Sequence, residues 1–105
     1  MKTIEVRVPH ELGRDEMRRR IDEALVRART QYTDAVGPIE AEWEHEHRMR
    51  VMLTAMGMQF DGTIEILVEE VVVELGLPGM ASMFAGRIRE GIQERLGGLV
   101  GSQQV

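Results

Sequence analysis

Between Ile39 and Leu75 the chain passes through four short stretches in which apolar and polar residues alternate, and this constrains the fold more than any other feature. Alternation with period two marks strands with one buried and one wet face. The connections between the stretches are only a few residues long, so neighbours must run antiparallel; a parallel pair needs a crossover of about a dozen residues. The strands are Ile39–Glu44, Arg48–Thr54, Ile64–Val68 and Val71–Leu75. His45-Glu46-His47 and Glu69-Glu70 fall between them as turns. Asp61-Gly62 is expected to be a two-residue hairpin turn, because glycine tolerates the positive φ that a type I′ turn requires.

The flanking segments complete the order. Ile4, Val6 and Val8 alternate with Thr3, Glu5 and Arg7 and predict a further strand, ended by Pro9. Met17, Ile21, Ala24, Leu25, Ala28 and Tyr32 recur at three- and four-residue steps and predict a helix over 14–32. Its early Asp15 and Glu16 suit the positive end of the helix dipole. Asp34 to Pro38 reads as a turn and Gly76 to Gly79 as the end of the sheet. A second helix follows, with Met80, Phe84, Ile88, Ile92, Leu96 and Leu99 on one side and Arg87, Glu90, Gln93 and Glu94 opposite. The expected fold is α+β: a single antiparallel sheet of five strands, β-α-β-β-β-β-α, with both helices on one face. Trp43, Ile64, Ile66, Val73, Phe84 and Ile88 should form its core. Residues 1–100 read as one domain and 101–105 as a frayed tail.

Composition excludes several classes of function. There is no cysteine among the 105 residues, hence no disulfide, thiolate metal site or cysteine nucleophile. Charges interrupt the apolar residues of Met1 to Arg7, unlike a signal peptide. No apolar run approaches the roughly 20 residues of a membrane helix, so a cytoplasmic protein without a membrane span is expected. A net charge of −5 argues against nucleic acid as a partner.

The polar candidates for chemistry have simpler explanations. His45 and His47, with His10 elsewhere, invite a metal reading, but they sit in a turn and lack the spacings of structural zinc sites. No metal site and no cofactor are expected. Arg18-Arg19-Arg20 fan around a helix at about 100° per residue and do not converge on an anion. Glu40, Glu42 and Glu44 share one strand face, with Glu65 and Glu74 beside them, and between residues 40 and 74 nine acids face two arginines. Paired carboxylates serve glycosidases only inside a cleft; here they read as a wet acidic sheet face. Ser82 and Ser102 belong to no Ser/His/Asp set and no G-x-S-x-G elbow is present. The expectation is that the protein is not an enzyme.

Methionine is the unusual feature, eight residues in 105. Flexible thioethers fill irregular cores and also make pliable apolar surfaces. Since only four aromatic residues are available, core filling accounts for part of the count. Met56, Met58, Leu77, Met80 and Met83 lie near chain turns, where side chains are less often enclosed. Convergence at the open end between sheet and second helix would make them an apolar ligand-binding mouth.

The segment His10-Glu11-Leu12-Gly13-Arg14-Asp15-Glu16-Met17-Arg18-Arg19-Arg20-Ile21 resembles the opening H-x-L-G-x-x-E-A-x-x-R-I of the polyhydroxyalkanoic acid system family of small bacterial proteins. Trp43, Phe60-Asp61-Gly62-Thr63-Ile64 and Leu75-Gly76-Leu77-Pro78 follow in the order of that family's later landmarks. The resemblance spans Ile4 to Leu99; Met17 replaces a favoured alanine, and the segment from Trp43 to Asp61 is longer. It implies association with storage granules of apolar polyester, and it brings no catalytic residues. The architecture also resembles, in reduced form, the helix-grip proteins of the START and pollen-allergen type, which enclose apolar ligands. Two functions are therefore expected as alternatives. One is a non-catalytic polyhydroxyalkanoate-system protein presenting apolar surface or a small pocket to granule polyester, acyl chains or a granule protein. The other is a structural domain that forms a homodimer and engages a protein partner.

Overall fold

The structure, a computed structural model, describes residues 2–31, 36–55 and 57–101. Strand β1 (Lys2–Pro9) leads through helix α1 (Arg14–Gln31) to the strands β2 (Val36–His45), β3 (Arg48–Ala55), β4 (Met58–Ile66) and β5 (Glu70–Leu77). A 3-10 turn (Gly79–Phe84) then opens helix α2 (Ala85–Gly101). All five strands form one antiparallel sheet in the order β1-β5-β4-β3-β2, so the architecture is the expected α+β one.

The register explains the alternation in the sequence. Val6, Val73, Ile64, Met49 and Trp43 are successive cross-strand partners in one row across the sheet. The adjacent row is Glu5, Glu74, Thr63, Arg50 and Glu42, on the opposite face. Both helices cover the apolar face. Met17 and Ile21 of α1 and Leu96 of α2 share one buried cluster with Val6, Val8, Met49, Ile66, Val71 and Val73. A second cluster, Ile4, Phe60, Leu77 and Ala81, fills the end of the sheet beneath the 3-10 turn. The other face stays open, and Glu40, Glu42, Glu44 and Glu74 are exposed on it as expected.

Asp61-Gly62 is not a turn. The pair lies inside β4, with Gly62 between Val51 of β3 and Leu75 of β5. The β3–β4 connection comes earlier, at Gly57, whose φ of 76° supplies the left-handed conformation. Gly62 answers a different demand: a Cβ there would stand 2.6 Å from the Glu74 carbonyl oxygen. Gly37 and Pro38, expected in a turn, belong to β2. They fall where its register against β3 shifts between Val36 and Ile39, on the outer edge where proline costs no ladder bond. Residues 34 and 35 of that expected turn, and Tyr32 at the expected end of the first helix, lie outside the described residues.

Phe84, expected in the core, is 49% exposed. The cause is the 3-10 turn: at three residues per turn Met80 and Met83 stack on one side, facing out, while Ala81 faces in. The inward stripe therefore runs Ala81, Ala85, Ile88, Ile92 and Leu96, one residue out of phase with Met80 and Phe84 at its start. Ile66 and Val73 are buried as expected. Trp43, Ile64 and Ile88 are only half-buried.

His10 is 3% exposed and holds the end of the sheet opposite the 3-10 turn. The Leu12 N–H donates to its Nδ1 (3.2 Å), so the ring proton sits on Nε2 and goes to the Leu67 carbonyl at 2.9 Å. One imidazole thereby ties the exit of β1, the approach to α1 and the β4–β5 turn.

Candidate functional site

Ile64 and Ile88 are half-buried because they line a cleft. It has a volume of about 440 Å³ and lies between α2 and the inner faces of β3, β4 and β5. Leu53, Phe60 and Leu75 floor it, and Ile88 and Ile92 form the wall on α2. Gly62 deepens the floor by having no side chain. Ligand pockets are of this kind, concave and mostly apolar, and the volume lies in their range of about 300–1,000 Å³. Two other hollows, of about 560 and 420 Å³, have charged linings. One is at the β2 edge around Glu40, Glu42 and Arg50, the other on the open sheet face around Arg48, Asp61 and Glu74.

The helices leave this cleft because α1 is committed elsewhere. Its Met17 and Ile21 pack at the opposite end, and its polar side chains are engaged there too. Arg18 stacks 4.2 Å from the Trp43 ring centroid and donates to the Glu46 carbonyl at 2.7 Å. The Trp43 indole N–H in turn donates to Asp22 at 3.0 Å, which explains the half-buried position of that ring. Arg20 bonds Glu16 (2.8 Å) and donates to the Leu99 carbonyl (2.5 Å) in the last turn of α2. A cation at that end suits the helix dipole. It fixes the far end of α2 and leaves the 3-10 end beside the cleft. The three consecutive arginines do not converge, as their fanned spacing implied: Arg18 and Arg20 tie α1 to the β2–β3 turn and to α2, while Arg19 pairs with Glu16 and Glu23 on its own helix.

Glu16 also accepts from Arg19 at 2.6 Å. Its hydrogen bonds with Arg19 and Arg20 pull the carboxyl down to about 2. A carboxyl lowered on folding stabilises the native state above its unfolded value, and the contribution is lost as pH falls through the folded one. Carbon-detected NMR titration should therefore find Glu16 ionised down to about pH 2. Arg19→Ala should move that midpoint upward, and an unmoved midpoint would show that Arg19 does not set it.

The residues expected to make an apolar mouth do not share one environment. The β3–β4 turn and the β5–α2 connection lie at the same end of the sheet, which brings positions 58, 77, 80 and 83 to one end. Met56 lies outside the described residues. Met58 is half-buried against the second core cluster. Leu77 is fully buried within that cluster, at 0% exposure, so its position near a turn does not bring it to the surface. Met80 and Met83 are 76% and 82% exposed, and Phe84 beside them is half-exposed. Met17 and Met49 are buried and fill core. The sequence placed an apolar mouth or small pocket between the sheet and the second helix but not the residues that line the cleft, since Leu53, Phe60, Ile88 and Ile92 have an ordinary core pattern.

Among the described residues no three His, Asp or Glu side chains are placed to hold a metal ion. His47 pairs with Asp15 at 3.3 Å, His45 is exposed, and His10 is the latch described above. Among the described residues no helix is long and apolar enough to cross a membrane.

Fold and site together define an α+β protein with an apolar cleft under its C-terminal helix and an exposed methionine-rich turn beside it. The chain belongs to the family described as "Putative polyhydroxyalkanoic acid system protein", whose model matches residues 4–99. No curated protein matches it. Among solved structures, TTHA0849 from Thermus thermophilus is 14% identical and aligns over 93% of this chain and 91% of its own, with a TM-score of 0.42. Ara h 8.0201 is 12% identical over 96% and 98%, also at 0.42.

Proposed function

We propose that this protein is a non-catalytic, cytoplasmic member of the polyhydroxyalkanoate system that holds apolar acyl or polyester chains through the cleft under α2 and the exposed turn next to it. The observation that carries this reading is the juxtaposition of the two. The carbon-lined cleft of about 440 Å³ opens beneath α2, whose leading turn projects Met80, Met83 and Phe84 into solvent. Isolated exposed apolar residues are ordinary, but three together on the turn that leads into the Ile88 wall of an apolar cleft support this reading. Thioethers conform to an irregular, chemically uniform surface such as a polyester. The attraction is apolar area, roughly 25 cal/mol per Å² before the costs of association. Met58, packed against the same end, belongs to this site, while Leu77 supports it from within.

The test uses Met80→Glu combined with Met83→Glu. Both side chains are largely in water, so the thermal melt should stay within a few degrees of wild type. Cosedimentation with purified polyhydroxyalkanoate particles should fall at least about tenfold, since a charge desolvated against apolar surface is strongly opposed. A folded double variant that cosediments like wild type would remove the turn from the site.

A further inference from the structure

The two edges of the sheet are unlike. The β2 edge is guarded against pairing: its register slips twice, it contains Pro38, and Glu40, Glu42 and Glu44 line it. Such features are how sheets block edge-to-edge association. The β1 edge from Lys2 to Val8 has no proline and no register slip, and its charges are of both signs, Lys2 and Arg7 with Glu5. Its register against β5 is unbroken from Lys2 to Pro9. Among the described residues, no backbone–backbone hydrogen bond outside that ladder involves Thr3–Pro9.

The charges on β1 are of opposite sign two positions apart, and within one chain a single arginine serves two carboxylates. Glu5 stands directly opposite Glu74, a like-charge pair that destabilises a sheet. Its relief is Arg7, two positions along the same strand, at 3.2 Å, and Arg7 also reaches Glu70 at 3.1 Å. On one strand Glu5 and Arg7 flank Val6 symmetrically. When two such strands run antiparallel about a two-fold axis at Val6, each Glu5 faces the other copy's Arg7 on both sides of the axis. Ile4 then faces Val8, continuing the apolar row.

We propose that β1 is the site at which a second copy of this chain docks, joining the two sheets edge to edge with Val6 on the two-fold axis. The partner is specified by the strand itself: Glu5-Val6-Arg7 is complementary to its own antiparallel image. An isologous contact of this kind closes on itself as a dimer and propagates no further. Both apolar faces then lie on the same side of one continuous sheet, so the two clefts face the same way. Edge pairing through β1 is independent of what the clefts bind.

Sedimentation equilibrium from micromolar to submillimolar concentration tests it with the full chain. Wild type should show a monomer–dimer equilibrium. Glu5→Arg exchanges the repulsion with Glu74 for an attraction, so this variant is expected to fold, and a thermal melt checks it; its new guanidinium then faces Arg7 of the other copy, and its dimer should weaken at least about tenfold. Arg7→Glu should weaken it likewise. An equimolar mixture of the two variants should restore a heterodimer, since each pair is then of opposite sign. A wild type that stays monomeric, a Glu5→Arg protein that dimerises as before, or a mixture that does not recover would each overturn the proposal. Should Arg7→Glu not fold, amide exchange of wild type at low and high concentration decides. The β1 amides not bonded to β5 gain protection with concentration if the edge pairs, and constant protection overturns it.

Discussion

Leu77→Ala is expected to lower the stability of this protein by about 3 kcal/mol, and Phe84→Ala by less than about 1 kcal/mol. Leu77 is completely enclosed, touching the cluster of Ile4, Phe60 and Ala81 where β5 ends. Truncation removes three carbons from a site walled by two strands and the first turn before α2, which cannot all collapse inward. In a domain of this size such a loss lowers the melting temperature by more than about 10 °C. Phe84 already keeps half its surface in water, so its truncation removes little buried area. Denaturant melts of the two variants, compared at constant m-value, measure both. A Leu77→Ala loss under about 1 kcal/mol would take Leu77 out of the core and return it to the surface mouth. The comparison reverses the sequence reading, which places Phe84 inside by apolar periodicity and Leu77 at a mouth by its position near a turn.

That reversal shows which parts of the fold were legible in the sequence. Val6, Ile64 and Val73 could be assigned to one face because strand period is two, and a meander offers few alternatives once its turns are short. Met17 and Ile21 were legible because α1 is regular from its first turn. The start of α2 was not: a 3-10 turn has a three-residue period, so a 3.6-residue stripe extended backward through it arrives at Met80 and Phe84 in place of Ala81. Asp61-Gly62 carries strong turn chemistry, while the actual connection at Gly57 is flanked by methionines that signal nothing. The lining of the cleft was illegible for another reason. It arises where α1, tied down through Arg18 and Arg20, does not reach and where Gly62 has no side chain, and neither condition alters a local pattern. His10 could be noticed as a histidine, but its role depends on Leu67, which is distant in sequence.

Gly62→Ala is the second change with a large expected effect, and it tests fold and site together. Glycine inside a strand weakens it unless the backbone comes too close for a side chain. Here the added methyl would meet the Glu74 carbonyl oxygen at 2.6 Å and Leu75 Cδ1 at 2.9 Å. Leucine can rotate away, but the carbonyl belongs to the β4–β5 ladder and yields only if the strands separate. Overpacking of this kind costs about 1–3 kcal/mol, and the β-branched Gly62→Val should cost more. Gly91→Ala supplies the contrast. That glycine is helical, nothing lies within 4 Å of its absent Cβ, and alanine there should stabilise by about 0.5–1 kcal/mol. If Gly62→Ala were as stabilising as Gly91→Ala, the close approach to β5 would not exist in solution. The same methyl stands on the cleft floor, against Leu75. A folded Gly62→Ala protein should therefore bind a fluorescent fatty-acid probe more weakly than wild type. Unchanged probe binding in that folded variant would leave the exposed Met80–Met83 turn, and not the cleft, as the surface that holds the chain.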